Sequence, residues 1–258
     1  MLFLSRQLQT SRRLLSTWVD TFDKYLMGSE PVVKDKHSKL LAKRGLIYNV
    51  EIQDVKPGYL SDYLSNAEKV LPDIHADQKL PVELYGQFHV QMGQLDRVYT
   101  IWRHSGGYGD VDKTQIQLAK MMDYQEFVKQ QGKLLQKREQ QLCYEFAFWP
   151  TYDDYFDGGI FEIRSYSLKA GCLYEWANAW SKAVSLREKD AVMGLCSQIG
   201  DMYTVHHIWR YMDLEHRKNE RDMAWQSGEW ANLVIRTVPM IRNLTVNILK
   251  PAEYSPLR

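Results

Sequence analysis

Cysteine is scarce in this chain: Cys143, Cys172 and Cys196 are its only three in 258 residues. No two of them have the CxxC spacing of a zinc module, and their number is odd, so we exclude a disulfide framework and expect a reducing compartment. Long apolar runs are also missing. No stretch approaches the roughly 20 residues that a membrane-spanning helix needs, and we therefore predict no transmembrane segment.

Acidic residues are absent from the first 19 positions, MLFLSRQLQTSRRLLSTWV, which contain three arginines. On a helix at about 100° per residue, the leucines at positions 4, 8 and 15 share one face, opposite two of the arginines. Such a start is typical of a mitochondrial presequence, with an ordinary first helix as the alternative. We predict a presequence at 1–19 and a charged linker arm at 20–45. The remaining chain has 30 basic and 32 acidic residues, which argues against nucleic acid as the main partner.

Two stretches of the chain repeat one pattern. The segment IYNVEIQDVKPGYL from Ile47 aligns with IFEIRSYSLKAGCL from Ile160, at an offset of 113 residues. The residues that follow each segment place apolar side chains at i, i+3, i+4 and i+7, which predicts an amphipathic helix in both. The tripeptide IWR also occurs twice, from Ile101 and from Ile208. We interpret these matches as two copies of one domain.

Both copies predict the element order βαββαβ, the ferredoxin-like unit. The predicted strands are Leu46–Gln53, Val82–Val90, Arg97–Trp102 and residues 142–149 in the first copy, and Ile160–Ser167, Ala191–Ile199, Tyr203–Arg210 and residues 240–249 in the second. The predicted polar helices are Asp112–Gln140 and Leu214–Trp230. A single unit leaves one sheet face uncovered, whereas a tandem pair buries both. The fold class is therefore α+β, with ferredoxin-like repeats at 46–150 and 158–258 forming an intramolecular dimeric α-β barrel.

Several motifs of the second copy resemble the NIPSNAP family. They are GGIFEIRSYSLKAGCLYEWANAW at 158–180, SQIGDMYTVHHIWRYMDLEHRKNERDMAW at 197–225 and the tail VPMIRNLTVNILKPAEYSPLR at 238–258. DKHSKLLAK at 35–43 is similar to the leader before the family's first strand. Ala170 departs from the family pattern, which usually has proline there. The resemblance extends over nearly everything after residue 34.

The resemblance implies a mitochondrial protein linked to mitophagy. Family members act as signals on damaged mitochondria by recruiting autophagy adaptors and ubiquitin-like autophagy modifiers. We accordingly expect a non-enzymatic interaction protein, resident in the matrix and exposed on the outer surface when import fails, with proteins as partners and no cofactor. The sequence does not decide whether the chain forms a homo-oligomer. A third reading, an adaptor at the membrane surface, depends on whether residues 1–19 stay attached.

The alternative is an α-β barrel enzyme or a small-ligand or haem-binding protein that uses His206 or His207. Strand alternation sends these two side chains to opposite faces, so they cannot easily share a metal. A pocket between sheet and helices where one of them meets Tyr, Trp or Arg would favour this alternative. An ordinary hydrogen-bonded core histidine beside a solvated one is the simpler interpretation.

The duplicated pairs Trp102-Arg103 and Trp209-Arg210 are further candidate pocket or interaction residues. Two arginines can bracket an anion because each offers a planar fork of donors, although duplication alone explains their repetition. For autophagy modifiers the expected motif is an aromatic residue, two residues, then Leu, Ile or Val, added as a strand to a sheet edge. Tyr211 to Leu214 fits this pattern, and so does Trp230 to Leu233. Both matches lie where we predict packed structure.

Overall fold

The fold is taken from a computed structural model that describes residue 42 and residues 45–150 and 158–258. The predicted presequence at 1–19, nearly all of the predicted arm at 20–45 and residues 151–157 between the two predicted repeats lie outside the described residues. Within the described ranges, no helix is long and apolar enough to cross a membrane.

Each half contributes four strands and a set of helices to the described structure. The strands are β1 Ile47–Val55, β2 Glu83–Met92, β3 Arg97–His104, β4 Leu135–Glu145, β5 Ile160–Leu168, β6 Ala191–Ile199, β7 Thr204–Tyr211 and β8 Ile241–Pro251. The α-helices are α1 Leu60–Glu68, α2 Leu71–Ala76, α3 Tyr108–Leu118, α4 Met122–Leu134, α5 Leu173–Ser181, α6 Leu214–Trp225 and α7 Gly228–Thr237. A short 3₁₀ segment, Val184–Asp190, precedes β6, and another, Val238–Met240, precedes β8.

The eight strands close into one antiparallel barrel in the order β1-β3-β2-β8-β5-β7-β6-β4. Strands β4-β1-β3-β2 form the first half and β8-β5-β7-β6 the second, which is the ferredoxin-like order in each. The halves join along two seams, where β2 pairs with β8 and β4 with β6. The predicted α+β fold, an intramolecular dimeric α-β barrel built from two βαββαβ repeats, is confirmed.

The barrel interior is a filled apolar core made by both halves. Alternate residues of the strands face inward, among them Val50, Ile101, Ile163 and Ile208, each at most 1% exposed. At the β2–β8 side, the rings of Phe88 and Phe161 pack 5.0 Å apart. The helices cover the outer faces of the two sheets.

The fourth strand of the first half differs from the prediction. The predicted helix Asp112–Gln140 is two helices that end at Leu134, and the predicted strand at 142–149 is β4, Leu135–Glu145. The segment LQKREQQ has the composition of a helix, but pairing with β1 from Leu135 onward holds it extended. Beyond Glu145 the chain leaves the sheet, and Trp149 N–H closes a turn on the carbonyl of Phe146 at 3.0 Å.

The polar helix of the second half is also interrupted. The predicted helix Leu214–Trp230 ends at Trp225, and α7 begins at Gly228 and extends to Thr237. Asp213 caps the start of α6, because its Oδ1 accepts the backbone N–H of His216 at 2.7 Å. Breaking the helix at Ser227 allows α7 to turn and bury Trp230 and Leu233 against the second sheet.

Candidate functional site

The helix-covered face of each sheet carries one row of four residues, one from each strand. In the first half the row is Gln140, Glu51, Thr100 and Gln87. The equivalent row of the second half is Val246, Arg164, His207 and Gly194. The first row is polar and contains an acid, Glu51. The second row contains a base, Arg164, at the equivalent place and ends in Gly194, which has no side chain. The two copies therefore share a framework but present different chemistry.

The first half has a partly open cavity of about 600 Å³ between its sheet and its helices. The floor is the polar row, and the walls come from α1, α3 and α4. Its lining includes Glu51, Gln53, Tyr63, Gln87, Thr100, Trp102, Tyr124, Phe127, Gln131 and Arg138. A smaller space of about 80 Å³ adjoins it and shares Glu51, Trp102 and Tyr124. The size matches that of pockets that hold metabolites or cofactors.

A hydrogen-bonded chain of side chains covers the cavity floor. The hydroxyl of Tyr63 donates to Gln53 Oε1 at 2.5 Å, and Gln53 Nε2 donates to Glu51 Oε2 at 3.2 Å. On the other side, Gln87 Nε2 donates to Thr100 Oγ1 at 2.8 Å. Because amides and hydroxyls both donate and accept, such a floor can match varied polar groups on a ligand.

Glu51 is the acid at the centre of this floor. Burial is the largest influence on it and raises its pKa from 4.5 to about 7, against the opposing effects of hydrogen bonds from Trp102 and Gln53 and the charge of Arg138. At neutral pH its carboxyl group is therefore divided between its protonated and ionised forms. A group with that property, lining a cavity, is suited to accept or donate a proton or to bind a ligand's donor.

Three buried oxygen atoms around the cavities have no hydrogen-bond partner in the described part of the chain. They are Asn49 Oδ1, Thr114 Oγ1 and Gln131 Oε1. Unpartnered buried polar atoms are uncommon and costly, so they mark places where a bound molecule or water would add a partner. Asn49 and Thr114 line the smaller space and Gln131 the larger.

Aromatic rings fill the corresponding region of the second half. The ring of His207 lies 4.3 Å from Trp149 and 4.5 Å from Trp180, measured between ring centroids. Neither of its nitrogens has a hydrogen-bond partner within the described ranges. Burial holds the pKa of His207 well below 6.5, so the ring is neutral. His207 therefore meets Trp and Tyr side chains between sheet and helices, as the ligand-binding alternative requires. These rings form a packed cluster around it.

His206 faces the opposite side of the sheet, as strand alternation predicts. Its Nδ1 lies 2.8 Å from Ser165 Oγ, and its Nε2 lies 2.9 Å from Gln141 Oε1. Burial lowers its pKa from 6.5 to about 4. These contacts describe a hydrogen-bonded histidine inside the barrel. No group of three or more metal-ligating side chains occurs among the residues that the structure describes.

The duplicated Trp-Arg pairs have different surroundings. Trp102 lines the first cavity, whereas Trp209 is completely buried in the aromatic cluster. Arg103 forms an ion pair of 2.8 Å with Glu83, and Arg210 is half-buried.

Tyr211 and Leu214 differ sharply in exposure. Tyr211 is 1% exposed and its hydroxyl accepts a hydrogen bond from Arg187 Nη2 at 2.5 Å, whereas Leu214 is 44% exposed. Arg187 is itself buried, 3.4 Å from Asp190 and stacked 4.6 Å over the ring of Trp209. An autophagy modifier would therefore reach Leu214 but not the Tyr211 ring in this fold. In the second match, Trp230 and Leu233 are both buried.

Sequence reasoning did not identify the first-half cavity. Its signal was present in β1, IYNVEIQDV, where Asn49, Glu51 and Gln53 alternate with apolar residues. Polar residues on the face that the helices must cover are unexpected, since that face is normally apolar. The aligned positions of the second copy are Glu162, Arg164 and Tyr166. Polar residues at these positions in both copies could have marked this face as a site.

Comparison with known proteins gives relatives of similar length. The NIPSNAP family model matches residues 161–256. NipSnap homolog 2 of zebrafish and of human are each 38% identical over 229 residues, covering 87% of this chain and 80% of theirs. Drosophila NipSnap is 34% identical over 249 residues, covering 95% of this chain and 90% of its own.

Solved structures share the fold of the described barrel. A Lactobacillus acidophilus protein, named as a monooxygenase candidate, has a TM-score of 0.60 at 14% identity, covering 81% of this chain and 95% of its own. An anthrone oxidase-like protein has a TM-score of 0.57 at 11% identity, covering 83% and 96%. At these identities the likeness concerns the fold alone.

Proposed function

Because the chain belongs to the NIPSNAP family, we propose that it is a mitochondrial interaction protein of quality control, without catalytic activity of its own. The supporting observation is identity of 34–38% to NipSnap proteins over most of both chains. In this proposal, import places the protein in the matrix of healthy mitochondria. When import fails, it stays on the outer surface and recruits autophagy adaptors and ubiquitin-like autophagy modifiers.

The test is protease protection on isolated mitochondria, with and without a collapsed membrane potential. We expect protection in energised mitochondria and its loss for newly made protein after collapse. Deleting residues 1–19 is the matched control, because the shortened chain should be accessible in both conditions. Protection that is unchanged by the loss of potential would contradict the proposal. Since Tyr211 is buried, Leu214→Ala is expected to leave adaptor recruitment unchanged.

The first-half cavity favours a second function, the binding of a polar small molecule. The specific observation is a cavity of about 600 Å³ that contains a half-buried acid, Glu51, and a hydrogen-bonded polar floor. A fitting ligand has a hydrogen-bond donor for Glu51 and a flat apolar part that packs on Trp102 and Tyr124. This function is compatible with the first, since the barrel's ligand and its partner surfaces need not coincide.

Native mass spectrometry of the purified protein tests the binding function. We expect a non-covalent small molecule that dissociates on denaturation and whose occupancy falls in Glu51→Gln and in Thr100→Val. Exposed Glu253→Gln makes the same change of charge away from both cavities, and as the control it should retain the molecule. A protein that carries no molecule, and whose melting temperature is unchanged by a panel of polar metabolites, would contradict the proposal.

A further inference from the structure

A second, smaller cavity lies between the sheet and the helices of the second half. Its volume is about 170 Å³. The residues that line it are Arg164, Tyr166, Trp176, Trp180, Arg221, Trp225, Trp230, Val234, Thr237, Val238, Ile241 and Leu244. Two arginines thus lie among walls that are otherwise almost entirely apolar or aromatic. This cavity is separate from the one proposed above to bind a polar molecule.

Three side chains of this lining have a buried donor without a partner in the described part of the chain. They are Arg164 through Nη2, Trp176 through Nε1 and Trp180 through Nε1. Their residues are 8%, 1% and 4% exposed, so water does not replace the missing partners freely. All three atoms can only donate a hydrogen bond. What is missing at this place is an acceptor.

The local charge indicates an acceptor that is negative. The buried Glu162 binds both Arg164 and Arg217 through its two carboxylate oxygens, so one negative charge serves two cations. Arg221 forms no ion pair within the described ranges, and its pKa is lowered by burial and then by the neighbouring charge of Arg164. Three arginines therefore share a single carboxylate. Arg164 is buried and Arg217 and Arg221 are half-buried, so positive charge exceeds negative charge beside the cavity, and an anion bound there would offset it.

The mouth of the cavity is apolar. Trp225, Val238 and Leu244 line it and remain 50%, 55% and 42% exposed. Large exposed apolar side chains beside a cavity are suited to cover the apolar part of a ligand. An inorganic anion has no such part and would leave this surface uncovered.

We propose that this cavity binds a small monocarboxylate with an apolar body. The carboxylate lies among Arg164, Trp176 and Trp180, with Arg221 supplying the second positive charge. The apolar body lies against the tryptophan rings and extends towards Val238 and Leu244. An arginine fork matches the two oxygens of a carboxylate, and indole N–H groups add donors with no charge of their own. The proposal is independent of the family function and of the first-half cavity.

Titration of tryptophan fluorescence, checked by calorimetry, tests the proposal with phenylacetate and hexanoate as probes. We expect saturable binding by the full chain, because the lining tryptophans report directly on an occupied cavity. Methyl phenylacetate has the same body without the charge and should bind at least tenfold more weakly. Inorganic phosphate should bind more weakly than either carboxylate, because it has no apolar part.

Two arginine variants locate the site. Arg221→Gln removes a cation that has no ion pair and should weaken phenylacetate binding about tenfold or more. Arg138→Gln makes the same change at the first-half cavity and should leave the affinity unchanged. Arg164→Gln also leaves Glu162 with one partner fewer, so its binding is interpreted only if its circular dichroism matches that of the unmodified protein.

Three results would overturn the proposal. The first is an absence of saturable binding for both carboxylates at millimolar concentration. The second is tighter binding of phosphate than of phenylacetate, which would indicate a general anion site. The third is an affinity that survives Arg221→Gln or falls in Arg138→Gln.

Discussion

Glu51→Gln gives the sharpest test of the structure, because it asks whether the first-half cavity is a desolvated site. The pKa of Glu51 in the folded protein is about 7, against an ordinary value of 4.5. Between these values the unfolded chain has lost the proton that the folded protein still holds. The free energy of unfolding therefore falls as the pH rises from 4.5 to about 7 and stays lower above that range. The difference corresponds to about 3 kcal/mol at most.

Glutamine cannot ionise, so the variant avoids this cost. We expect Glu51→Gln to match the unmodified protein at pH 4 and to exceed its stability by about 1–3 kcal/mol at pH 8. Urea unfolding at pH 4, 5, 6, 7 and 8 measures the difference between the two proteins, in which the titration of all other groups cancels. Exposed Glu253→Gln makes the same change of charge outside the cavity and is the matched control. A pH-independent difference for Glu51→Gln would show that water solvates this carboxylate and would refute the argument.

Three further variants examine other parts of the fold. Gly194→Ala should lower the free energy of unfolding by about 1–3 kcal/mol, because the added Cβ would lie 2.5 Å from the Trp149 ring. In the control Gly132→Ala, in α4, the added Cβ meets nothing within 4 Å and should stabilise the protein by about 0.5–1 kcal/mol, and urea unfolding midpoints compare the two variants. The pKa of His206 is about 4 in the folded protein and 6.5 ordinarily, so the unmodified protein loses up to about 3 kcal/mol of unfolding free energy as the pH falls from 6.5 to 4. His206→Gln should remove this loss and unfold at a lower pH, and equal midpoints of acid unfolding for the two proteins would contradict the prediction. Arg187→Ala should cost about 3–5 kcal/mol, because it leaves the buried carboxylate of Asp190 unpaired; a cost below 1 kcal/mol by thermal unfolding would show that this ion pair is solvated.

The duplication has produced two halves with the same frame and different contents. Glu51 in the first half and Arg164 in the second occupy equivalent places beneath the helices, and Thr100 corresponds to His207. In the second half Trp149, which follows the last strand of the first half, fills space above Gly194. In the first half a polar floor leaves a large cavity open. The same place in the two halves is therefore an acidic polar cavity in one and a small, aromatic, arginine-bearing cavity in the other.

The repeat itself determined most of the architecture. Matching apolar positions from Ile47 and from Ile160 predicted βαββαβ twice, and two uncovered sheet faces in one chain predicted the barrel. The opposite orientations of His206 and His207 likewise follow from strand alternation, which is a property of the backbone. Local patterns succeeded in these cases because strand and helix periodicity are properties of neighbouring residues.

Only the tertiary structure decided what each site holds. Leu135–Gln141 has the composition of a helix, yet pairing with β1, some 85 residues earlier, makes it a strand. Glu51 acquires its pKa from burial and from Trp102 and Arg138 on two other strands, and Glu162 binds Arg217 as well as Arg164, whose Nη2 has no acceptor in the described part of the chain. Such properties arise from desolvation and from charges brought together by folding. They depend on distances in space, which the order of residues along the chain does not contain.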